Sequence, residues 1–317
     1  MSTATYEPVK VADPDTPEWY KARSTGIGAS EAADAMGLSD YGERWKLYHR
    51  KIGTLQEDAE NDDMWFGKEF ESSIVKYWER KNDQKVLMHP CPMYRHPDHP
   101  FILATPDGII GPSRGLEVKT MNWRIAAEMG EQGTDYIPDG YVVQAQQQML
   151  VMGWEKVEFA ILVGKKLQQY TVHREQALVD ALIVGLAEMW ERIQNFDEPD
   201  PDWDNKSVPD TVKNMYKTIE KDSVFELSKE ACAAWNRYEL LSDDEKEVVA
   251  ERKALKAFVL KEIGNRSGGV LAGGKRMIRR KEIAGCSFTV TGSPASTHEP
   301  SKFPSDNHNR FLISELK

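Results

Sequence analysis

Asp107 stands ten residues ahead of the triplet Glu117-Val118-Lys119. These residue types at this spacing fit one kind of chemistry. In a β-strand, side chains i and i+2 share a face, so Glu117 and Lys119 point together and Val118 points into apolar packing. A hairpin through Gly108, Gly111, Pro112 and Gly115 can set Asp107 beside them. Two carboxylates at a strand end make a hard oxygen site suited to Mg²⁺. The neighbouring ammonium can orient or deprotonate a water for attack on phosphorus. An Asp-Gly turn with an alternating charged strand end also occurs in ordinary hairpins, so the rest of the chain has to supply the discrimination.

The pattern of elements that must position this group is α/β or α+β. Residues 1–19 read as a polar, Pro-rich flexible arm. Ser30 fits an N-cap ahead of Glu31–Met36, with Gly37 as the stop. Trp45–Ile52 and Gly67–Asn82 read as helices, the second on the spacing Phe70, Ile74, Tyr77/Trp78. Val86–Tyr94, Phe101–Thr105 and Leu116–Thr120 read as strands. Tyr141–Met152 is a helix closed by Gly153. Val157–Val163 and Gln168–His173 form a hairpin across Gly164-Lys165-Lys166. Glu175–Phe196 is a long helix with Leu178, Leu182, Leu186, Met189 and Ile193 on one stripe. Residues 197–226 read as an acidic, Pro-containing linker. Residues 227–317 read as an αα-hairpin, Lys229–Leu241 and Asp243–Ile263, with a Ser242/Glu245 capping box at the turn. A Gly-rich turn, the basic run Lys275–Lys281 and short strands at Cys286–Thr291 and Phe311–Ser314 follow it. The basic run suits either a grip on DNA or a partner, or a lysine-protected sheet edge.

Composition bounds the function. At 317 residues, with 40% hydrophobic and 9% aromatic content, the chain can bury one large core or two modest ones. Cys91, Cys232 and Cys286 lie far apart without a C-x-x-C. That argues against an iron–sulfur cluster or a cysteine-built zinc site and for a reducing compartment. The N-terminus has no charged and apolar leader pattern, and no run of 18 apolar residues exists, so a cytoplasmic protein without a membrane span is expected. The net charge of −10 counts against a nucleic-acid binder. Acids held by metal ions offset that objection, and so does the local crowding of Asp197, Glu198, Asp200, Asp202 and Asp204.

Other residues are candidates for the same site. Glu69 and Glu71, two apart on a helix, face different sides, and both also suit a solvated first turn. Tyr141 and Gln144 share a helix face that can meet the metal site, while the run that includes Gln146 also suits ordinary surface. Arg23-Ser-Thr-Gly-Ile-Gly-Ala-Ser30 places an arginine, glycines and a hydroxyl before a helix, which suits an anion pocket or simply a tight turn. His89, His96 and His99 each precede proline, which suits a turn-rich hairpin better than zinc.

Taken together these motifs resemble the lambda-exonuclease branch of the PD-(D/E)XK nucleases, particularly the YqaJ-type viral recombinase family. The resemblance spans about residues 20 to 195, with a nuclease domain over 20–196. It rests on Arg23…Gly-Ile-Gly-Ala-Ser30, Gly67-Lys-Glu-Phe-Glu71, Thr105-Pro-Asp-Gly108, Leu116-Glu-Val-Lys119 and Tyr141-Val-Val-Gln-Ala-Gln146, in family order. It implies a restriction-endonuclease-like core with a central mixed sheet flanked by helices. Asp107, Glu117, Glu71 and the Val118 carbonyl are implied as metal ligands. Lys119 is implied to position the nucleophilic water, with Tyr141 and Gln144 on the supporting helix. Arg23, Ser30 and Thr105 match positions that hold the 5′-phosphate of the degraded strand.

The activity so implied is Mg²⁺-dependent exonucleolytic digestion of duplex DNA from the 5′ end. Two ions are expected, with Mn²⁺ as a substitute. A single-strand annealing protein as partner and a ring-shaped homotrimer are implied as well. A PD-(D/E)XK endonuclease and a non-catalytic DNA-end-binding scaffold are the alternatives.

Overall fold

The computed structural model describes residues 6–39, 42–56, 61–218, 226–263, 268–270, 276–281 and 289–294. The chain divides into two units, Met1–Glu220 and Lys221–Lys317.

The first unit runs β1 (Val9–Ala12), α1 (Pro17–Arg23), β2 (Ile27–Gly28), a 3-10 turn (Ala29–Glu31), α2 (Ala32–Met36), α3 (Arg44–Lys51) and α4 (Asp62–Asn82). It continues with β3 (Met93–Arg95), β4 (Ile102–Ala104), β5 (Gly108–Gly111), β6 (Arg114–Met121), α5 (Trp123–Ala126) and α6 (Asp139–Met152). It closes with β7 (Lys156–Val163), β8 (Lys166–His173), α7 (Gln176–Asn195) and α8 (Val208–Met215). The helix ends follow local chemistry. The Thr16 hydroxyl accepts from Trp19 N ahead of Pro17, and Asn61 caps α4 by accepting from Met64 N. Gly37 and Gly153 stop α2 and α6 in the left-handed conformation, at φ 68° and 70°.

Two four-stranded mixed sheets stand where one central sheet was expected. One has the order β1-β3-β4-β2, the other β5-β6-β7-β8. The break falls between β4 and β5, at Thr105-Pro106-Asp107, where proline has no N–H to offer a ladder. The expected strand Val86–Tyr94 reduces to Met93–Arg95, preceded by a cis His89-Pro90 bond and a single bridge between Met88 and Ile109. The expected loose arm is partly structured: β1 pairs antiparallel with β3.

Strand β6 is the spine of the second sheet. It pairs antiparallel with β5 (Gly108 opposite Leu116) and parallel with β7 (Glu117 opposite Phe159, Lys119 opposite Ile161). Its alternation divides the core. Leu116 and Val118 pack with Ile74, Val75 and Trp78 of α4, together with Ala160 and Leu167. Burying each large apolar side chain of this kind contributes about 1.5–3 kcal/mol. The residues between them, Glu117 and Lys119, therefore face away from that cluster. Helix α6 lies in the β6-to-β7 crossover and is buried from Gln144 through Met152. Gln144, Gln146, Gln147 and Gln148 are thus not surface residues. On α7 the buried stripe is Val179, Leu182, Leu186, Met189 and Ile193, and the expected Leu178 is exposed.

The stretch expected to link the units is built into the first one as far as α8. The Glu198 carboxylate accepts from Trp45 Nε1 at 2.6 Å and lies 3.1 Å from His49 Nε2. Asn205 Nδ2 donates to the Ser39 and Gly42 carbonyls, and Val208 and Thr211 are buried.

In the second unit the expected αα-hairpin is instead one helix, α9 (Lys229–Ile263). Ser242-Asp243-Asp244 contains no glycine or proline, and a polar run on a helix surface does not by itself break the backbone. An antiparallel sheet of order β11-β10-β9 is formed by β9 (Gly268–Val270), β10 (Arg276–Lys281) and β11 (Thr289–Pro294). The basic run is therefore a central strand, not an edge. Cys286 and Phe311–Ser314 lie outside the described residues.

Candidate active site

The Glu117 side chain is 2% exposed and both of its oxygens are engaged. Oε1 lies 2.6 Å from Lys119 Nζ and accepts from Gln144 Nε2 at 2.5 Å. Oε2 accepts from Gln148 Nε2 at 2.6 Å. Strand alternation places Lys119 on this face, and one helical turn separates Gln144 from Gln148, so α6 can grip the carboxylate from two positions. The Lys119 ammonium also stands 5.3 Å from the centre of the Tyr141 ring, which stacks on Phe159. That is cation–π range.

Asp107 sits at the start of β5, and its Oδ2 accepts from Val118 N at 2.7 Å. The Asp107 main-chain carbonyl lies 2.7 Å from His89 Nδ1. His89 reaches on to α4: its Nε2 is 2.9 Å from Ser72 Oγ, and its Nδ1 is 3.7 Å from Glu71 Oε1. Glu71 therefore stands on the site side of α4, while Glu69 is exposed.

The carboxylates feel one another. Burial, then the charges of Glu117 and Glu71, push Asp107 well above the ordinary aspartate value. Burial raises Glu71 too; His89 opposes the rise and Glu117 adds to it. Burial works to lower the Lys119 ammonium, but Glu117 and Asp107 overturn it and its pKa stands above the usual lysine value. The Cys91 thiol is pushed up to about 12 by burial and by Asp107 and Glu71, which leaves it unreactive.

Asp107, Glu117 and Glu71 offer oxygen donors of the kind a hard divalent cation takes, and a positive ion would relieve the charge that Glu117 imposes on Asp107 and Glu71. Among the described residues, no three His, Cys, Asp or Glu side chains stand close enough to form a ready ligand cluster. Lys119 supplies the counter-charge to Glu117. The histidines do not make a zinc site. His96 is buried and its Nδ1 accepts from the Asp98 and His99 main chain, whereas His89 serves Asp107.

The residues expected to hold a phosphate form a second group. Arg23 lies at the end of α1 with its guanidinium 5.0 Å from the centre of the Trp19 ring. Trp19 Nε1 donates to Thr105 Oγ1 at 3.4 Å, which ties Arg23 to the loop that carries Asp107. Ser30 is exposed on the turn Ala29–Glu31, beside the buried Glu31. The sequence marks His89 only as a zinc candidate and does not mark Gln148, Trp19 or Glu31 as site residues. Of these only Gln148, four residues after Gln144, left a periodic signal.

Residues 18–155 match the model of the YqaJ-like viral recombinase domain. That segment holds every candidate residue from Arg23 to Gln144, and Gln148 with them. Over those residues the first unit is similar to that domain.

A protein of Bacillus subtilis (strain 168), described as "Uncharacterized protein YqaJ", is 26% identical over 260 residues, 80% of each chain. An alkaline exonuclease from Laribacter hongkongensis superposes with a TM-score of 0.48 at 21% identity, over 58% of this chain and 95% of that one. A phage-related exonuclease from Haemophilus somnus 129PT gives 0.44 at 11%, over 54% and 94%. No helix among the described residues is long and apolar enough to cross a membrane. Within residues 18–155, the acids, the lysine and the glutamines come from the residue ahead of β5 and from β6, α4 and α6, the elements that meet around β6.

Proposed function

We propose that this protein is a divalent-metal-dependent deoxyribonuclease of PD-(D/E)XK architecture that digests one strand of duplex DNA from its 5′ end. The observation that carries this reading is the engaged Glu117 carboxylate. It is held by Lys119, Gln144 and Gln148 in a group whose other acids, Asp107 and Glu71, have pKa values raised by burial and by the Glu117 charge. In this reading Asp107, Glu117, Glu71 and the Val118 carbonyl hold Mg²⁺, or Mn²⁺ in its place, as two ions. When bound, such ions would supply charge stabilisation at phosphorus and ease deprotonation of water. Lys119, its ammonium stabilised in place, would orient the attacking water as a hydrogen-bond donor. Gln144 and Gln148 fix the rotamer of Glu117, and Tyr141 lines the lysine. Arg23, Ser30 and Thr105 receive the terminal phosphate. The 3′-ended strand is left single, ready for a single-strand annealing protein, and a homotrimeric ring would enclose the duplex.

The test is Mg²⁺-dependent digestion of linear duplexes that differ only in which 5′ end carries phosphate. Loss of the phosphorylated strand from its 5′ end is expected. Cleavage of closed circular duplex would instead favour the endonuclease alternative. Light scattering of the purified chain reads the trimer.

A further inference from the structure

A buried carboxylate lies behind the residues assigned to the terminal phosphate. Glu31 is 3% exposed. Its Oε2 accepts from Gly28 N at 2.8 Å and lies 2.7 Å from Lys51 Nζ. Its Oε1 lies 3.3 Å from Arg50 Nη2 and 3.6 Å from Arg23 Nη2. Lys51 Nζ also donates to the Arg23 carbonyl at 2.7 Å. One anion therefore gathers three cations, two of them largely buried, and ties the Gly28 and Arg23 backbones into the same knot. Burial alone would raise the Glu31 carboxyl, but Lys51 and Arg50 hold it below the ordinary value, so it is charged. Arg23 is held from its other side by Trp19, whose indole N–H reaches Thr105.

We propose that Glu31 is the positioning residue of this anion site. Through Arg23, Arg50, Lys51 and the Gly28 backbone, it sets the selectivity of the enzyme for a 5′-phosphorylated end without touching the nucleic acid. The inference rests on the 5′-phosphate reading above. The charge balance supports it. Arg23, Arg50 and Lys51 outnumber the Glu31 carboxylate even with the Asp34 carboxyl facing Arg50, so the cations are in surplus. A terminal phosphate monoester carries about −1.5 to −2 near neutral pH, against one charge for an internal diester. A positive surplus favours the more highly charged end of a strand over its interior. Positioning and bare charge make opposite predictions. Glu31→Gln raises the surplus by one charge, so a site working by charge alone would prefer phosphate more strongly. A site that needs Arg23 held in place would prefer it less.

The experiment uses the full-length chain with Mg²⁺ and compares initial rates on linear duplexes with 5′-phosphate and 5′-hydroxyl ends. In Glu31→Gln the phosphate-to-hydroxyl ratio is expected to fall about tenfold, the loss of one charge-assisted anchor. In Glu31→Asp, which keeps the charge and withdraws the carboxylate by one methylene, a smaller fall is expected. A folded Glu31→Gln enzyme whose ratio is unchanged or higher overturns the proposal. Should that variant not fold by circular dichroism, an unchanged ratio in Glu31→Asp overturns it equally. A wild-type enzyme indifferent to the phosphate sinks the 5′-phosphate reading and this inference with it. A wild-type preference that survives in the variants sinks the inference alone.

Discussion

Gln148 Nε2 lies 2.6 Å from Glu117 Oε2, one turn of α6 beyond Gln144, which donates to Oε1 of the same carboxylate. A buried carboxylate held at both oxygens keeps one rotamer. Gln148→Leu removes a donor at a fully buried position while nearly preserving volume. We expect kcat to fall about 10–100-fold, the usual cost of losing such a supporting contact. The oxygen left without its donor costs about 1–3 kcal/mol of stability. Steady-state kinetics and thermal melting read both effects, and wild-type kcat in a folded variant would remove Gln148 from the site.

Asp107 makes the metal-free fold pH-sensitive. Its folded pKa lies above the unfolded one, so the folded state holds the proton more tightly. This contribution to stability is present below the unfolded pKa and is lost as pH rises through the folded one. Asp107→Asn should therefore raise the melting temperature of the metal-free protein at neutral pH while abolishing cleavage. Mg²⁺ should stabilise the wild type and not this variant. A variant that melts lower than wild type at neutral pH without metal contradicts the charge argument.

Lys119 works as a cation. Its raised pKa means that the ammonium's contribution is complete below the ordinary lysine value and lost only as pH rises through the elevated one. Lys119→Ala should abolish cleavage across the neutral and mildly alkaline range while leaving duplex binding largely intact, as read by gel shift beside a digestion assay. Residual full activity at any of those pH values would exclude Lys119 from the reaction.

Gly115 in β6 is a packing constraint. A Cβ there would stand 2.0 Å from Trp154 Cζ3, and Trp154 is buried. Gly115→Ala should destabilise the first unit by about 1–3 kcal/mol, as overpacking does. Chemical denaturation measures it, and an unchanged midpoint would mean that Trp154 moves aside at no cost.

Residues 197–218 predict a truncation boundary. A chain ending at Glu220 keeps the Glu198 and Asn205 hydrogen bonds and the buried Val208 and Thr211. A chain ending at Phe196 loses all four, and its melting temperature should drop by several degrees, since about 1 kcal/mol is lost per contact. Equal melting temperatures for the two truncations would show that α8 adds nothing.

Much of the candidate site was legible because it is local. Asp107, Glu117 and Lys119 lie within one hairpin's reach, and strand periodicity alone puts Glu117 and Lys119 on one face. The Pro and Gly punctuation that located most elements is local too. The same reasoning failed where local signals were absent or weak. Ser242-Asp243-Asp244 looked like a cap but lies inside α9, and the acidic stretch after Phe196 looked like a linker but docks through Glu198 and Asn205.

By itself the sequence determined the acid–lysine constellation, the helix that bears Glu71, and a resemblance that the match over residues 18–155 bears out. Only the tertiary structure decided which polar residues are buried and whom they serve. Four glutamines in five positions, Gln144 to Gln148, read alike on a surface and in a core, because periodicity reports faces and not neighbours. Gln148 meets Glu117 across 31 positions, Trp19 meets Thr105 across 86, and Glu31 gathers Arg50 from 19 residues away. Such pairings follow from chain crossovers, and each becomes visible only when packing has brought the two segments together.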